Sequence, residues 1–351
     1  MQSEKIVAMS EPNNKPSDQH ITGNGGHLLE VSDLHVEFRT SAGVVKAVNG
    51  VSYNLDEGET LAILGESGSG KSVGVEAVMG IVESPPGFVT AGSVRFRGTE
   101  LLDMEEARLC RIRGHNIAMI FQEPQATLDP GFTVGHQISE MLRLHRGLSR
   151  QKARKRAVEL MDRVKIPFAM ERVNDYPHQF SGGMCQRVMI AIALALDPDV
   201  LIADEPTTAL DVTIQAQVMQ LLSELQADTG MGVVLITHDM AVIADVADRV
   251  VVMYAGRVVE TGSIHQIYEK PAHPYTVGLM NCVPRLDRKE EKLNIIPGSP
   301  PNPIHIPTGC AFHPRCPLAR EKCQTETPAS SEVGPHRQSA CHFFEEVLVG
   351  L

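Results

Sequence analysis

The chain has 351 residues, room for one large domain or two smaller ones. Hydrophobic residues make up 42% and aromatics 4%, with no Trp, so a substantial core is available and must be mainly aliphatic. Asp and Glu outnumber Lys and Arg by 43 to 32, a net charge of −11, which argues against the basic face of a nucleic-acid binder. The basic run from Arg150 to Arg156 alternates with helix formers and reads as a solvated helix face. No stretch reaches the roughly 18 consecutive apolar residues of a membrane span. Residues 1–27 are polar, rich in Asn, Ser, Gly and Pro, and lack the apolar stretch of a signal peptide; they are expected to be a disordered tail before a cytosolic chain. Seven cysteines are an odd number, so a fully paired disulfide framework is not expected. Four of them fall late, at Cys310, Cys316, Cys323 and Cys341, which in a reducing compartment reads as metal binding before disulfides.

From about Leu28 to Arg97 the pattern is short strands and turns, with Leu34, Val36 and Phe38 alternating as in a half-buried strand. Thr60–Leu64, Ile117–Phe121, Val200–Ala203, Val233–Thr237 and Val250–Tyr254 are short apolar runs of the kind found in parallel strands buried on both faces. Helical faces lie between them. Ala157, Leu160, Met161 and Val164 mark one; Ile214, Val218, Leu221, Leu222 and Leu225 mark another, closed by Gly230 as a C-cap. The alternation predicts an α/β sheet covered by helices on both faces, with a mostly helical insertion over about 126–197. Beyond about Lys270 the composition changes. Seven prolines fall between Pro297 and Pro317, where regular helix or sheet is not expected and order must come from elsewhere.

Gly65-Glu66-Ser67-Gly68-Ser69-Gly70-Lys71-Ser72 matches G-x-x-x-x-G-K-[ST] without a mismatch, after an apolar strand and before a helical pattern. Such a loop turns backbone N–H groups, here around Gly65, Ser67, Gly68 and Gly70, toward phosphate oxygens, and the helix that follows adds a favourable dipole. Lys71 is positioned to neutralise phosphate charge and Ser72 to ligate Mg²⁺. The run Val200–Ala203 ends in Asp204 and Glu205. Ligands of open α/β sheets sit beyond the carboxyl ends of strands. Asp204 is therefore expected to hold Mg²⁺ through water, and Glu205 to orient and deprotonate the attacking water.

Phe180-Ser181-Gly182-Gly183-Met184-Cys185-Gln186-Arg187 resembles the LSGGQ-type signature of ABC ATPases, with Phe180 and Met184 departing from the pattern. A Ser N-cap followed by two glycines leaves a bare helix end able to approach phosphate. The resemblance implies that Ser181, Gly182 and Gly183 complete the ATP site of an opposite subunit. Gln122 corresponds to the Q-loop glutamine, implying a contact to Mg²⁺ or the attacking water. Ala209-Leu210-Asp211 resembles the D-loop, with Asp211 at the nucleotide; His238 resembles the switch histidine at the γ-phosphate; Phe38 is the candidate for stacking on adenine. The implied fold is that of a P-loop NTPase: a RecA-like core, an antiparallel β subdomain and a helical subdomain, together spanning 28–270. Cys185 reads as a small packed residue rather than an oxidation-sensitive one.

His273-Pro274-Tyr275-Thr276, Pro300-Pro301-Asn302-Pro303 and Cys310-Ala311-Phe312-His313-Pro314-Arg315-Cys316-Pro317 resemble the C-terminal extension of the oligopeptide/dipeptide/nickel importer ATPases, so 271–351 is expected to be that small Pro/Cys-rich extension. Four thiolates suit iron–sulfur or zinc. The tight C-x2–4-C pairs of structural zinc are absent, so the wider gaps favour an iron–sulfur cluster, with zinc or no metal as alternatives. Related ATPases with this extension carry a 4Fe–4S cluster, and the resemblance implies one here. It further implies ATP hydrolysis coupled to import, with peptides as the leading cargo and nickel chelates or glutathione-like molecules left open. The implied assembly is a head-to-tail pair with a second, different ATPase subunit, two permease subunits and an extracytoplasmic solute-binding protein, with this chain peripheral on the cytoplasmic face of the inner membrane. A soluble ABC ATPase acting on nucleic acid or ribosomes is the rival class. It is disfavoured by the single cassette, the absence of a long heptad stretch and the acidic charge.

Overall fold

The computed structural model describes residues 26–208, 210–282 and 296–350. The expected N-terminal tail lies outside these residues except for its last two positions, and Ala209 lies outside them too.

The five apolar runs become strands of one sheet. Its order is Ser331–Gly334, Arg337–Ser339, Arg257–Ser263, Arg249–Tyr254, Thr60–Leu64, Gly232–Thr237, Val200–Asp204, Ile117–Ile120. The last five strands named are mutually parallel. Every residue of Thr60–Leu64, Val200–Asp204 and Gly232–Thr237 is buried, as expected for central strands covered on both faces. Ile117–Ile120 stops one residue earlier than the apolar run, and Phe121 is exposed.

A second, antiparallel sheet pairs Leu29–Thr40 with Gly43–Leu55 on one side and Gly87–Phe96 on the other. Leu34 and Val36 face its core, and the ring of Phe38 packs on the rim of that core. Between Ile117–Ile120 and Val200–Asp204 the chain is helical, with Val134–Arg146, Arg150–Arg163 and Gly182–Ala193 as the long members. The predicted face Ala157, Leu160, Met161 and Val164 is buried, and Val212–Thr229 ends at Gly230 in the left-handed region.

The extension draws order from the main sheet. Within 297–317 regular structure is limited to the short 3₁₀ turn His313–Arg315. Beyond it, Arg337–Ser339 pairs with Arg257–Ser263 and extends the main sheet. Arg337 donates to Glu260 at 2.8 Å with side-chain exposures of 7% and 0%, and Glu260 also accepts the backbone N–H groups of Ala272 and His273. Burial raises the Glu260 carboxyl; the Arg337 guanidinium opposes that. A buried charge needs this much satisfaction. The extension is thus sewn onto the sheet by polar side chains, whatever occupies its cysteines.

Candidate active site

Four neighbouring parallel strands end at the same edge of the sheet, so the groups following them converge. The strand Thr60–Leu64 runs into the phosphate loop and the helix Lys71–Met79. Gly70 caps that helix at φ 98, and a Cβ there would stand 2.2 Å from the Ala47 carbonyl oxygen, so only glycine fits. Lys71 is buried, and its Nζ donates to the Gly65 and Glu66 carbonyls at 2.8 and 3.1 Å. Burial lowers its pKa, against the opposing pull of Glu205, Asp204 and Glu66. The Ser69 hydroxyl is buried without a protein partner, a spare polar group inside the phosphate cradle.

The Ser72 hydroxyl donates to Asp204 at 3.1 Å. Burial raises the Asp204 carboxyl, and Glu205 adds to this while Ser72 and Lys71 oppose it. Next to it, Glu205 sits at φ 43, a strained setting for a side chain of this kind. Its carboxylate accepts from Gln122 Nε2 and Thr208 Oγ1, both at 2.8 Å, and lies 3.4 Å from His238 Nδ1. Burial pushes this carboxyl up, but Thr208, His238 and Lys71 together hold it below the ordinary range. One acid is thus paired with the magnesium-type hydroxyl, while the other is held below the ordinary range by the donors Thr208 and His238 and by the charge of Lys71.

Ser181 caps Gly182–Ala193, accepting from Met184 N at 3.4 Å, and Asp211 caps Val212–Thr229, accepting from Ile214 N at 3.0 Å. Neither makes a hydrogen bond to the Lys71–Glu205 group among the described residues. A Cβ on Gly183 would meet Ile214 at 2.7 Å, so this turn packs tightly against the following helix. Both departures from the signature are covered by one side chain: Arg172 lies over the Phe180 ring and touches Met184 Sδ. Cys185 is buried, its thiol directed at the Pro177 and Phe180 carbonyls. Burial raises that thiol, which suits a packed residue.

The site residues fit Mg²⁺. Ser72 and Asp204 offer oxygen ligands beside the phosphate loop, and Mg²⁺ needs only one or two protein ligands when phosphates and water supply the rest.

Comparison with known proteins agrees with this geometry. The family model described as ABC transporter matches residues 48–208, and one described as oligopeptide/dipeptide transporter, C-terminal region, matches residues 259–323. A Brucella melitensis biotype 1 protein named as a peptide import ATP-binding protein is 48% identical over 91% of this chain and 98% of its own length. A Brucella abortus (strain 2308) protein of the same description is 52% identical over 90% and 94%. This chain belongs to the ATP-binding subunits of ABC transporters. Among solved structures, the dimeric ATP-binding cassette MJ0796, in a post-hydrolysis state with ADP and phosphate, matches with a TM-score of 0.60 and 30% identity over 67% of this chain and 98% of its own. CbiO1 from Clostridium perfringens matches at 0.59 and 29% over 69% and 90%. The chain is accordingly an ABC-type ATPase.

Three features of this ABC subunit's site escaped sequence reasoning, the first being the wall of the cavity next to the phosphate loop. Phe38 packs beside Gly87 and is not among the residues lining the cavity next to the phosphate loop. That cavity is walled instead by Lys46, Tyr254, Pro300, Pro301 and Pro303. The Pro-rich motif was legible, but nothing local in it points to the cassette. The other two are Thr208 on Glu205 and Arg315 on Glu66.

The four late cysteines do converge. Cys310, Cys316, Cys323 and Cys341 line one cavity with His273, His313 and Phe343. Burial pushes the Cys316 and Cys341 thiols up to about 11. Among the described residues, however, no three His, Cys, Asp or Glu side chains stand close enough to hold one metal ion.

Proposed function

We propose that this chain is the ATP-hydrolysing subunit of a binding-protein-dependent importer of peptides, working at the cytoplasmic face of the inner membrane. The observation that carries the ATPase chemistry is the convergence of Gln122, Thr208 and His238 on Glu205 beside the phosphate loop. The cargo reading rests on the peptide-import names of the Brucella relatives and on the oligopeptide/dipeptide C-terminal region. No described helix is long and apolar enough to cross a membrane, and in this reading partner chains supply the translocation path. The working division is a nucleotide-binding domain over 28–270, with its helical part at about 126–197, and the extension over 271–351.

In this mechanism the loop N–H groups around Gly65, Ser67, Gly68 and Gly70, together with Lys71, hold the ATP phosphates. Ser72, Asp204 and Gln122 hold Mg²⁺, which supplies charge neutralisation. Glu205 takes a proton from the attacking water while the water's oxygen bonds to the γ-phosphorus, and the bond from that phosphorus to the bridging oxygen breaks, releasing ADP. His238 and Gln122 keep that carboxylate aimed. Ser181, Gly182, Gly183 and Asp211, at two helix ends that make no hydrogen bond to the cluster among the described residues, serve the site of a second ATPase subunit in a head-to-tail pair. Phe38 is the side chain assigned to stack on the adenine. Closing and reopening of the pair drives two permease subunits fed by a solute-binding protein.

Purification of the tagged chain from solubilised membranes tests the assignment. Two polytopic permeases and a second cassette are expected, with labelled-peptide uptake lost when the chain is deleted. Recovery of ribosomes or RNA instead would sink it.

We further propose that Cys310, Cys316, Cys323 and Cys341 hold a structural 4Fe–4S cluster. What supports this reading is that the four thiols line one cavity and that their spacing in the chain lacks the tight C-x2–4-C pairs of structural zinc. Anaerobic purification is expected to yield iron, acid-labile sulfide and broad visible absorption, all lost in Cys316→Ser. Zinc, or no metal, removes the cluster and leaves the ATPase standing.

A further inference from the structure

We propose that Arg315, in the C-terminal extension, is a positioning residue for the phosphate loop of its own chain, acting through Glu66. The two residues are 249 positions apart, yet Arg315 Nη1 and Nη2 donate to the two carboxylate oxygens of Glu66 at 2.6 and 2.9 Å. This is the bidentate fork that only a guanidinium forms with a carboxylate. The Arg315 side chain is 5% exposed and that of Glu66 25%, so water competes weakly for either. The arginine is itself fixed: Nε donates to the Pro297 carbonyl at 2.9 Å, and the rings of Tyr254 and Phe312 flank the guanidinium. The Glu66 carboxylate is the main reason its pKa is raised, so the charge is permanent.

Glu66 is an unspecified position of the loop motif, and nothing in the motif explains an acid there. In the structure each of its polar groups is held by a different residue. Its N–H donates to the Tyr275 hydroxyl at 2.9 Å, its carbonyl accepts from Lys71 at 3.1 Å, and its carboxylate takes Arg315. Two of these three holds come from the extension. The loop must keep successive N–H groups pointed at phosphate, and that arrangement is useful only if it exists before the nucleotide arrives. The extension therefore sets the loop's geometry through Glu66. Arg315 also ends the turn His313–Arg315 that leads into Cys316, so the loop is braced by the same turn that frames the cysteine cavity.

The inference rests on the loop holding the nucleotide phosphates. The test is equilibrium ATP binding to the full chain, read together with the rise in melting temperature that ATP produces. Arg315→Gln and Glu66→Gln are each expected to weaken ATP binding about tenfold and to shrink that rise, as expected of a lost buried fork. The double variant is expected to be no weaker than either single one, because both remove the same contact. Arg315→Lys, which keeps the charge and loses the fork, should fall between. ATP affinity unchanged in Arg315→Gln overturns the proposal. So does a loss that Glu66→Gln fails to reproduce, which would make the arginine a general prop of the extension. Should Arg315→Gln fail to fold, the comparison of Glu66→Gln with the parent decides alone. Lys71→Ala is the control for the underlying reading: if it binds ATP like the parent, the phosphate-loop assignment fails rather than the role of Arg315.

Discussion

Glu205→Gln is expected to bind ATP with near-parental affinity and to hydrolyse it at least about a hundredfold more slowly, the usual scale for losing a positioned general base. The substitution keeps the side chain's shape and lets it accept from Thr208 as before. What it removes is the basic oxygen. In the parent the carboxylate is held ionised because the donors Thr208 and His238, with Lys71 nearby, outweigh its burial. The backbone leaves little freedom to compensate, since Glu205 N donates to the Ile236 carbonyl at 3.0 Å and the residue sits at φ 43. Asp204 cannot take over, because its carboxylate is engaged by the Ser72 hydroxyl. Phosphate release by the assembled transporter measures the effect, and ATP trapped in a stable dimer is the companion result. Hydrolysis at the parental rate would remove Glu205 from the role of base.

The parts of the site legible in the sequence are those whose chemistry is local. The phosphate loop needs its glycines, lysine and serine in one contiguous octet, and Asp204, Glu205 and His238 follow directly from buried strands. Strand-end geometry then carries them together with no further information. Phe38 was harder. Its position in the chain matches an adenine contact, yet the alternation of its strand says only which face it takes, and the structure sets its ring beside Gly87. The order of the extension was less legible still. The hairpin Ser331–Gly334 and Arg337–Ser339 is short, and the residues it buries are Arg337 and Ser339 rather than an apolar alternation. Polar burial of that kind makes sense only once Glu260 is known to lie opposite. Arg315 on Glu66 is the same case: each residue looks like an ordinary surface charge until a contact spanning most of the chain joins them.

Lys71→Ala should reduce ATP affinity by at least about thirtyfold, the lower end expected when one partner of a buried, hydrogen-bonded charge pair is truncated. Without nucleotide the ammonium is occupied by the Gly65 and Glu66 carbonyls and faces Glu205 and Asp204. Burial disfavours its charge, so it sits in the loop as a cation short of solvation, and incoming phosphate oxygens are better partners than two carbonyls. The alanine variant loses that attraction and also leaves two carboxylates facing the phosphates with no intervening positive charge. Repulsion between these acids and the triphosphate then adds to the missing contact, which is why the loss should exceed that of Arg315→Gln, where the lysine stays in place. Titration of ATP with and without Mg²⁺ separates the two contributions. If repulsion matters, Mg²⁺ recovers part of the affinity in Lys71→Ala. A variant that binds ATP within twofold of the parent under both conditions would mean that the loop's backbone N–H groups alone carry the phosphates.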